Sequence, residues 1–188
     1  GSAMLDAQHM GEFFHRYVLG LYALQERLLA EFPDLLLENC TGGGGRFDPG
    51  TLYFSPQIWT SDNTDPIERL TIQFGTSLCY PASTMGAHVS ASRRASYETK
   101  KNVALWGSFG YELDPDKLSP ETIEEIKEQV KEYHRYYDVI HYGELYRLIT
   151  PFENEFKVAW EFVSEDKKEA LVTVVNIKLP YDNLFFLK

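Results

Sequence analysis

Pro33-Asp34-Leu35-Leu36-Leu37-Glu38-Asn39-Cys40-Thr41-Gly42-Gly43-Gly44-Gly45-Arg46 is the stretch on which the fold turns. The short apolar run at 34–39 has the pattern of a strand buried on both faces of a parallel sheet. Four successive glycines then leave it, free to adopt positive φ and to bring backbone N–H groups close to a ligand. Just upstream, Phe14, Tyr17, Val18, Leu21, Leu24, Leu28 and Leu29 recur at three- and four-residue intervals, which predicts a helix over 10–31 with one apolar stripe. Pro33 stops it. A helix followed at once by a buried strand is α/β order, and it places the glycine loop at the strand's carboxyl end.

Downstream, Asp65-Pro66 is a helix start, with an acceptor side chain at the cap and proline in the first turn. Residues 83–90 form the second predicted strand, and 101–106 a short helix. Ser119-Pro120-Glu121-Thr122 opens a long helix whose apolar face carries Ile123, Ile126, Val130, Tyr133, Tyr137 and Ile140, ending about Tyr142 before Gly143. Beyond Gly143 the period changes to alternation at 145–149, 156–163 and 170–177, the last two joined by the charged turn 164–168, so the end of the chain is antiparallel. The first part therefore belongs to a parallel barrel or an open doubly wound sheet. Two parallel strands alone cannot close a barrel.

The 188 residues, 44% hydrophobic and 24% charged, are enough for one core-forming domain or slightly more. A net charge of −10 repels a nucleic-acid backbone, which argues against nucleic-acid binding. No apolar stretch is long enough to span a bilayer, so neither a membrane nor a secretory role is expected. Two cysteines, Cys40 and Cys79, are too few for a disulfide scaffold and are expected to be free thiols, in keeping with a cytoplasmic location. Gly1-Ser2-Ala3-Met4 has the look of a tag remnant, and the apolar ending Leu184-Phe185-Phe186-Leu187-Lys188 suggests truncation.

Chemistry is densest between Glu38 and Asp65, where Glu38, Cys40, Asp48, Asp62 and Asp65 surround the glycine loop together with Arg46. On a barrel this loop would lie on the face that holds active sites. A phosphate cradle fits poorly, because no Lys-Ser/Thr follows at Walker spacing and the next helix signal is some twenty residues away. His9, His15, His88, His134 and His141 are scattered without ligand spacing, so no metal or other cofactor is expected. Cys40 as a hydrolytic nucleophile would need a histidine that only folding could bring near. Cleavage of a sugar bond needs two carboxyl groups and commonly aromatic faces, and Trp59-Thr60-Ser61-Asp62-Asn63 supplies an indole beside an acid.

Taken together, Glu38-Asn39-Cys40-Thr41-Gly42-Gly43-Gly44-Gly45-Arg46-Phe47-Asp48, Gln57-Ile58-Trp59-Thr60-Ser61-Asp62-Asn63-Thr64-Asp65, Met85-Gly86-Ala87-His88-Val89-Ser90 and Gly107-Ser108-Phe109-Gly110-Tyr111-Glu112-Leu113 resemble the carboxyl-terminal third of bacterial α-galactosidases of glycoside hydrolase family thirty-six. The resemblance implies a retaining hydrolase that releases terminal α-galactosyl groups from oligosaccharides such as melibiose and raffinose. It also implies a fold: the last two strands and their helices of a (β/α)8 TIM barrel over 5–142, then the start of an antiparallel β-sandwich domain over 143–188. Asp62 falls on the family's general acid/base. Cys40 and Gly43 fall on galactose contacts, and Trp59 and Arg46 on the pocket wall; Asp48 reads as a loop fastener rather than a catalyst.

The family's nucleophile, an aspartate in a Lys-Trp-Asp motif, and its sugar-holding pair of aspartates have no counterpart here. An acid/base at neutral pH needs its carboxyl raised above the ordinary aspartate range near about 3.9, by burial or by the nucleophile's charge. The chain by itself is therefore expected to be inactive, and its open strand edges to drive pairing into a homo-oligomer. The alternative is a non-catalytic carbohydrate-binding or assembly module.

Overall fold

Asp65 and Ser119 start their helices as the sequence predicts: Asp65 accepts hydrogen bonds from the backbone N–H of Ile67 and Glu68 at the head of α3 (Pro66–Ser77), and Ser119 from Thr122 at the head of α5 (Pro120–Tyr142). The molecule is a computed structural model describing residues 6–178 apart from 41, 43 and 44, so residues 1–4, Gly43 and the run at 184–188 lie outside it. The first helix, α1 (Met10–Glu31), has the predicted bounds. Its apolar stripe is not buried, however: Phe14, Tyr17 and Leu24 are 54%, 51% and 54% exposed. Asp48 caps a short helix that sequence reading missed, α2 (Pro49–Phe54), and accepts from Tyr22 of α1 at 2.9 Å.

Four strands, β1 (Glu38–Asn39), β2 (Gln57–Trp59), β3 (Met85–Ser90) and β4 (Ser108–Glu112), form one sheet in that order, every neighbouring pair parallel. The expected count of two parallel strands is thus corrected to four. β2 is three residues long after a proline, and β4 is Ser-Phe-Gly-Tyr-Glu, so neither has the apolar run that marks a buried strand. The 34–39 segment is corrected too. Only Glu38 and Asn39 pair, on one side, and Leu36 is 87% exposed.

The two faces of this sheet differ. Ile58, Met85, Ala87 and Val89 are fully buried; Met85 shares a core with Leu70 and Phe74 of α3 and Val103 of α4 (Tyr97–Ala104), and Ala87 and Val89 share one with Ala104. The opposite face carries Glu38, Trp59, His88 and Glu112, brought alongside by the registers Glu38↔Gln57, Trp59↔Gly86, His88↔Gly110 and Ser90↔Glu112. Two glycines give the side chains of that face their room. A Cβ at Gly86 would stand 3.2 Å from the Trp59 ring, and one at Gly110 would stand 2.6 Å from His88 Nε2.

After α5, β5 (Glu144–Ile149), β6 (Lys157–Val163) and β7 (Ala170–Asn176) form an antiparallel sheet in sequence order, within a residue or so of expectation. Trp160 of β6 stacks on Trp106, which precedes β4, with ring centroids 4.3 Å apart. Arg147 of β5 donates from Nε to Ser77 Oγ at 2.9 Å. One hydrophobic core therefore runs from α3 through Trp106 to the central antiparallel strand, at the amino-terminal end of the parallel strands. The class is α/β with separate parallel and antiparallel sheets.

Candidate functional site

Parallel strands bring their carboxyl ends to one rim, where loops of unrelated sequence meet. Cys40 follows β1, Asp62 lies three residues past β2, and Glu112 ends β4. Together with Trp59, Ser61 and Thr64 these residues line an open cavity of about 190 Å³. The thiol of Cys40 donates to Asp62 Oδ1 at 3.6 Å. Asp62 is exposed to water.

A chain of short-range bonds sets the Asp62 loop. The N–H of Asn63 donates to Ser61 Oγ at 3.1 Å, and that of Asp65 to Asn63 Oδ1 at 3.0 Å. Asp65, besides capping α3, accepts from Ser92 Oγ at 2.9 Å and from Arg94 at 3.1 Å, and Arg94 also reaches Glu68 at 3.0 Å. The loop is thereby pinned to the segment after β3. Asp65 is a cap and a fastener, and Asp48 likewise fastens α1 to α2.

Behind Asp62 the indole of Trp59 is fixed on three sides. Its Nε1 donates to Glu38 Oε1 at 3.0 Å, and Glu38 also accepts from Gln57. Its ring meets His88 edge-on at 4.5 Å between centroids. The guanidinium of Arg69 lies 5.7 Å from it. Arg69 is 2% exposed and donates to Gln73 and Thr60 at 2.9 Å each and to the Gly86 carbonyl. Burial without a directly bonded carboxylate pulls its pKa down to about 10, against the opposing charge of Glu112. Burial likewise lowers His88, while Glu112, 3.7 Å from Nδ1, and Glu38 oppose it and Arg69 assists.

Of the predicted site residues, folding brings Cys40, Trp59 and Asp62 together. Arg46 is half-buried in the turn after the glycines and does not line the cavity, and Gly43 lies outside the described residues. Sequence reading missed His88 and Glu112 as neighbours of the site. Their signal was the alternation Gly-Ala-His and Phe-Gly-Tyr-Glu, which becomes informative only once β3 and β4 are known to pair. Cys79 is a free, exposed thiol at the opposite end, beside the antiparallel sheet. Among the described residues no three His, Cys, Asp or Glu side chains group to hold a metal, and no helix is long and apolar enough to cross a membrane.

Comparison with known proteins places this arrangement. The chain is 49% identical over 183 residues to alpha-galactosidase AgaA of Geobacillus stearothermophilus, an alignment covering 94% of this chain and 25% of that protein. The crystal structure of AgaA superimposes with a TM-score of 0.90 at 47% identity, covering 98% of this chain and 26% of that one. A crystal structure of an AgaA variant in complex with raffinose gives 0.84 at 50% identity over 92% of this chain and 25% of that one. The chain thus spans about a quarter of the length of the relatives it matches. A family model described as Melibiase matches residues 1–143, and the chain belongs to that family.

Proposed function

We propose that this chain is part of a retaining α-galactosidase of glycoside hydrolase family thirty-six, with Asp62 as general acid/base and α-galactosides such as raffinose as substrates. The observation that carries it is the contact of Cys40 with Asp62 in one cavity walled by Trp59, at the carboxyl ends of parallel strands. In this reading Asp62 gives its proton to the leaving glycosidic oxygen. As a carboxylate it then takes a proton from the water that releases the sugar. Trp59 offers its face to the galactosyl ring, its tilt held by Glu38 and His88, while the Cys40 thiol meets the sugar from the β1 side. The nucleophile is supplied from outside these residues, so the chain alone binds sugar weakly and does not turn it over.

The parallel sheet fits the end of a (β/α)8 barrel over 5–142 better than a doubly wound sheet. Its buried face packs on α3 and α4, and its other face is a polar row of the kind that lines a barrel's interior. Residues 143–188 then begin an antiparallel β domain. No cofactor enters this chemistry, and two free thiols accord with a cytoplasmic enzyme.

Alkylation of Cys40 tests the site in the chain as it stands. Galactose at millimolar concentration is expected to slow iodoacetamide labelling of Cys40 and to leave Cys79, at the far end, unaffected; Asp62→Asn should weaken that protection. Equal labelling of Cys40 with and without galactose would overturn the reading of the site, and galactose release from raffinose by the pure chain would overturn the statement that the nucleophile lies outside it.

A further inference from the structure

β2 is held to its neighbour by a very short ladder. It pairs with β3 at Ile58↔Met85 and Trp59↔Gly86 and goes no further, so Thr60, where the chain bends away toward Asp62, lies past the last strand pair. The guanidinium of Arg69 takes over at that point. One terminal nitrogen donates to the Thr60 hydroxyl at 2.9 Å and the other to the Gly86 carbonyl, so a side chain joins the two strands one residue beyond their ladder. Its Nε donates to Gln73 Oε1 at 2.9 Å, and the Gln73 amide donates in turn to the Val103 carbonyl of α4 at 3.0 Å. Arg69 and Gln73 are 2% and 1% exposed. Arg69 belongs to α3, the helix into which the Asp62 loop leads, and the far end of that loop is held separately, by Asp65 with Ser92 and Arg94. Asp62 therefore hangs between two fixed points.

A guanidinium buried among neutral partners gives up more hydration than it regains, so packing alone would be served as well by an apolar side chain of similar length. What neither an apolar side chain nor a lysine can do is hold two oxygens on adjacent strands from one rigid plane. We infer that Arg69 is a positioning residue for the acid/base. Through Thr60 and Gly86 it sets the direction in which Ser61 and Asp62 leave β2. It also sets the bed of the indole that walls the same cavity: the Trp59 ring lies on Gly86, where an added Cβ would stand 3.2 Å from it, and the guanidinium is 5.7 Å from the ring centre. Arg69 touches no sugar itself. Its role rests on the reading of Asp62 and Trp59 given above, and it matters because a displacement of about 1 Å at a reacting group can cost on the order of a hundredfold in rate.

The chain as it stands carries the test. Arg69→Lys and Arg69→Met should each move the Trp59 indole N–H resonance in a proton–nitrogen correlation spectrum, where that resonance is identified by its loss in Trp59→Phe. Both should raise about tenfold the galactose concentration that half-protects Cys40 from iodoacetamide. Thr60→Val, which keeps the shape and removes the acceptor, should move the same resonance and raise that concentration about threefold. Ile140→Val, which loosens packing far from the site, should change neither. A folded Arg69→Met with the resonance and protection of the unaltered chain would overturn the role, as would an Ile140→Val that shifts both as much. If neither Arg69 variant folds, Thr60→Val decides: a moved resonance with weaker protection supports the role, and unaltered values overturn it. If galactose does not protect Cys40 even in the unaltered chain, the reading of the sugar site falls and the resonance alone decides Arg69. Moved in Arg69→Met, it leaves the positioning of Trp59 standing; unmoved, it removes that as well.

Discussion

Asp48 shows how one side chain can set a junction. Burial acts to raise its carboxyl, but hydrogen bonds from the Thr51 backbone and hydroxyl, from Tyr22 and from Gly50 outweigh this and hold it below the ordinary 3.8. A carboxyl depressed by folding contributes stability above its unfolded value, and that contribution disappears as pH falls through the folded one. Asp48→Ala should cost about 1 to 2 kcal/mol at pH 7, the range for a lost helix cap, and less at pH 3, as urea unfolding at the two pH values would measure. Two histidines act in the opposite direction. Burial lowers His88, with Glu112, Glu38 and Arg69 as its charged neighbours, and lowers His141, which is hydrogen-bonded to Tyr133 at 2.8 Å with Asp138 opposing. Between the ordinary 6.5 and their lower folded values the unfolded chain binds more protons, so stability should fall on acidification through this window. Thermal melts from pH 7.5 to pH 5 should show that loss, and His88→Gln with His141→Gln should flatten it. Asp48 was expected to fasten a loop rather than to catalyse, and it does cap α2 and bind Tyr22. His88 was not, because its partners come from three different strands.

Helices and strands differ in how much of their own sequence decides them. α1 carries period and stop signals and α5 a cap as well, and both have the predicted limits. Forming a helix and burying it are nevertheless separate matters. Leu24→Ser in α1 should change stability by no more than about 0.5 kcal/mol, since the side chain is 54% exposed, whereas Ile140→Ala in α5, at 1% exposed, should cost about 2 to 5 kcal/mol. Equal losses by chemical denaturation would mean that the α1 stripe is covered. β2 and β4 lie at the other extreme. Their short, mixed sequences become strands because β3, buried at five of six positions, offers an edge on each side. A strand recruited by its neighbour leaves no period for sequence reading to find.

For the whole molecule, the relation between the two sheets matters most. The shift from helical to alternating period at Gly143 announces two kinds of sheet, yet Trp106, Phe74, Val158 and Trp160 belong to one buried cluster. The chain should therefore unfold in a single transition, with tryptophan fluorescence and far-ultraviolet circular dichroism coinciding. Trp160→Ala, which removes the stack on Trp106, should cost about 3 to 5 kcal/mol and separate the two curves. The α/β class, the limits of α1 and α5 and the antiparallel end were determined by the sequence itself, because caps, periods and stop signals act over a few neighbouring residues, whereas the helix expected over 101–106 lies at Tyr97–Ala104. Four parallel strands instead of two, the contact of Cys40 with Asp62 across 22 positions, and the row joining Glu38, Trp59, His88 and Glu112 were decided only by the tertiary structure. Strand register is a long-range choice, made by which faces can be buried together, and no short window of residues contains it.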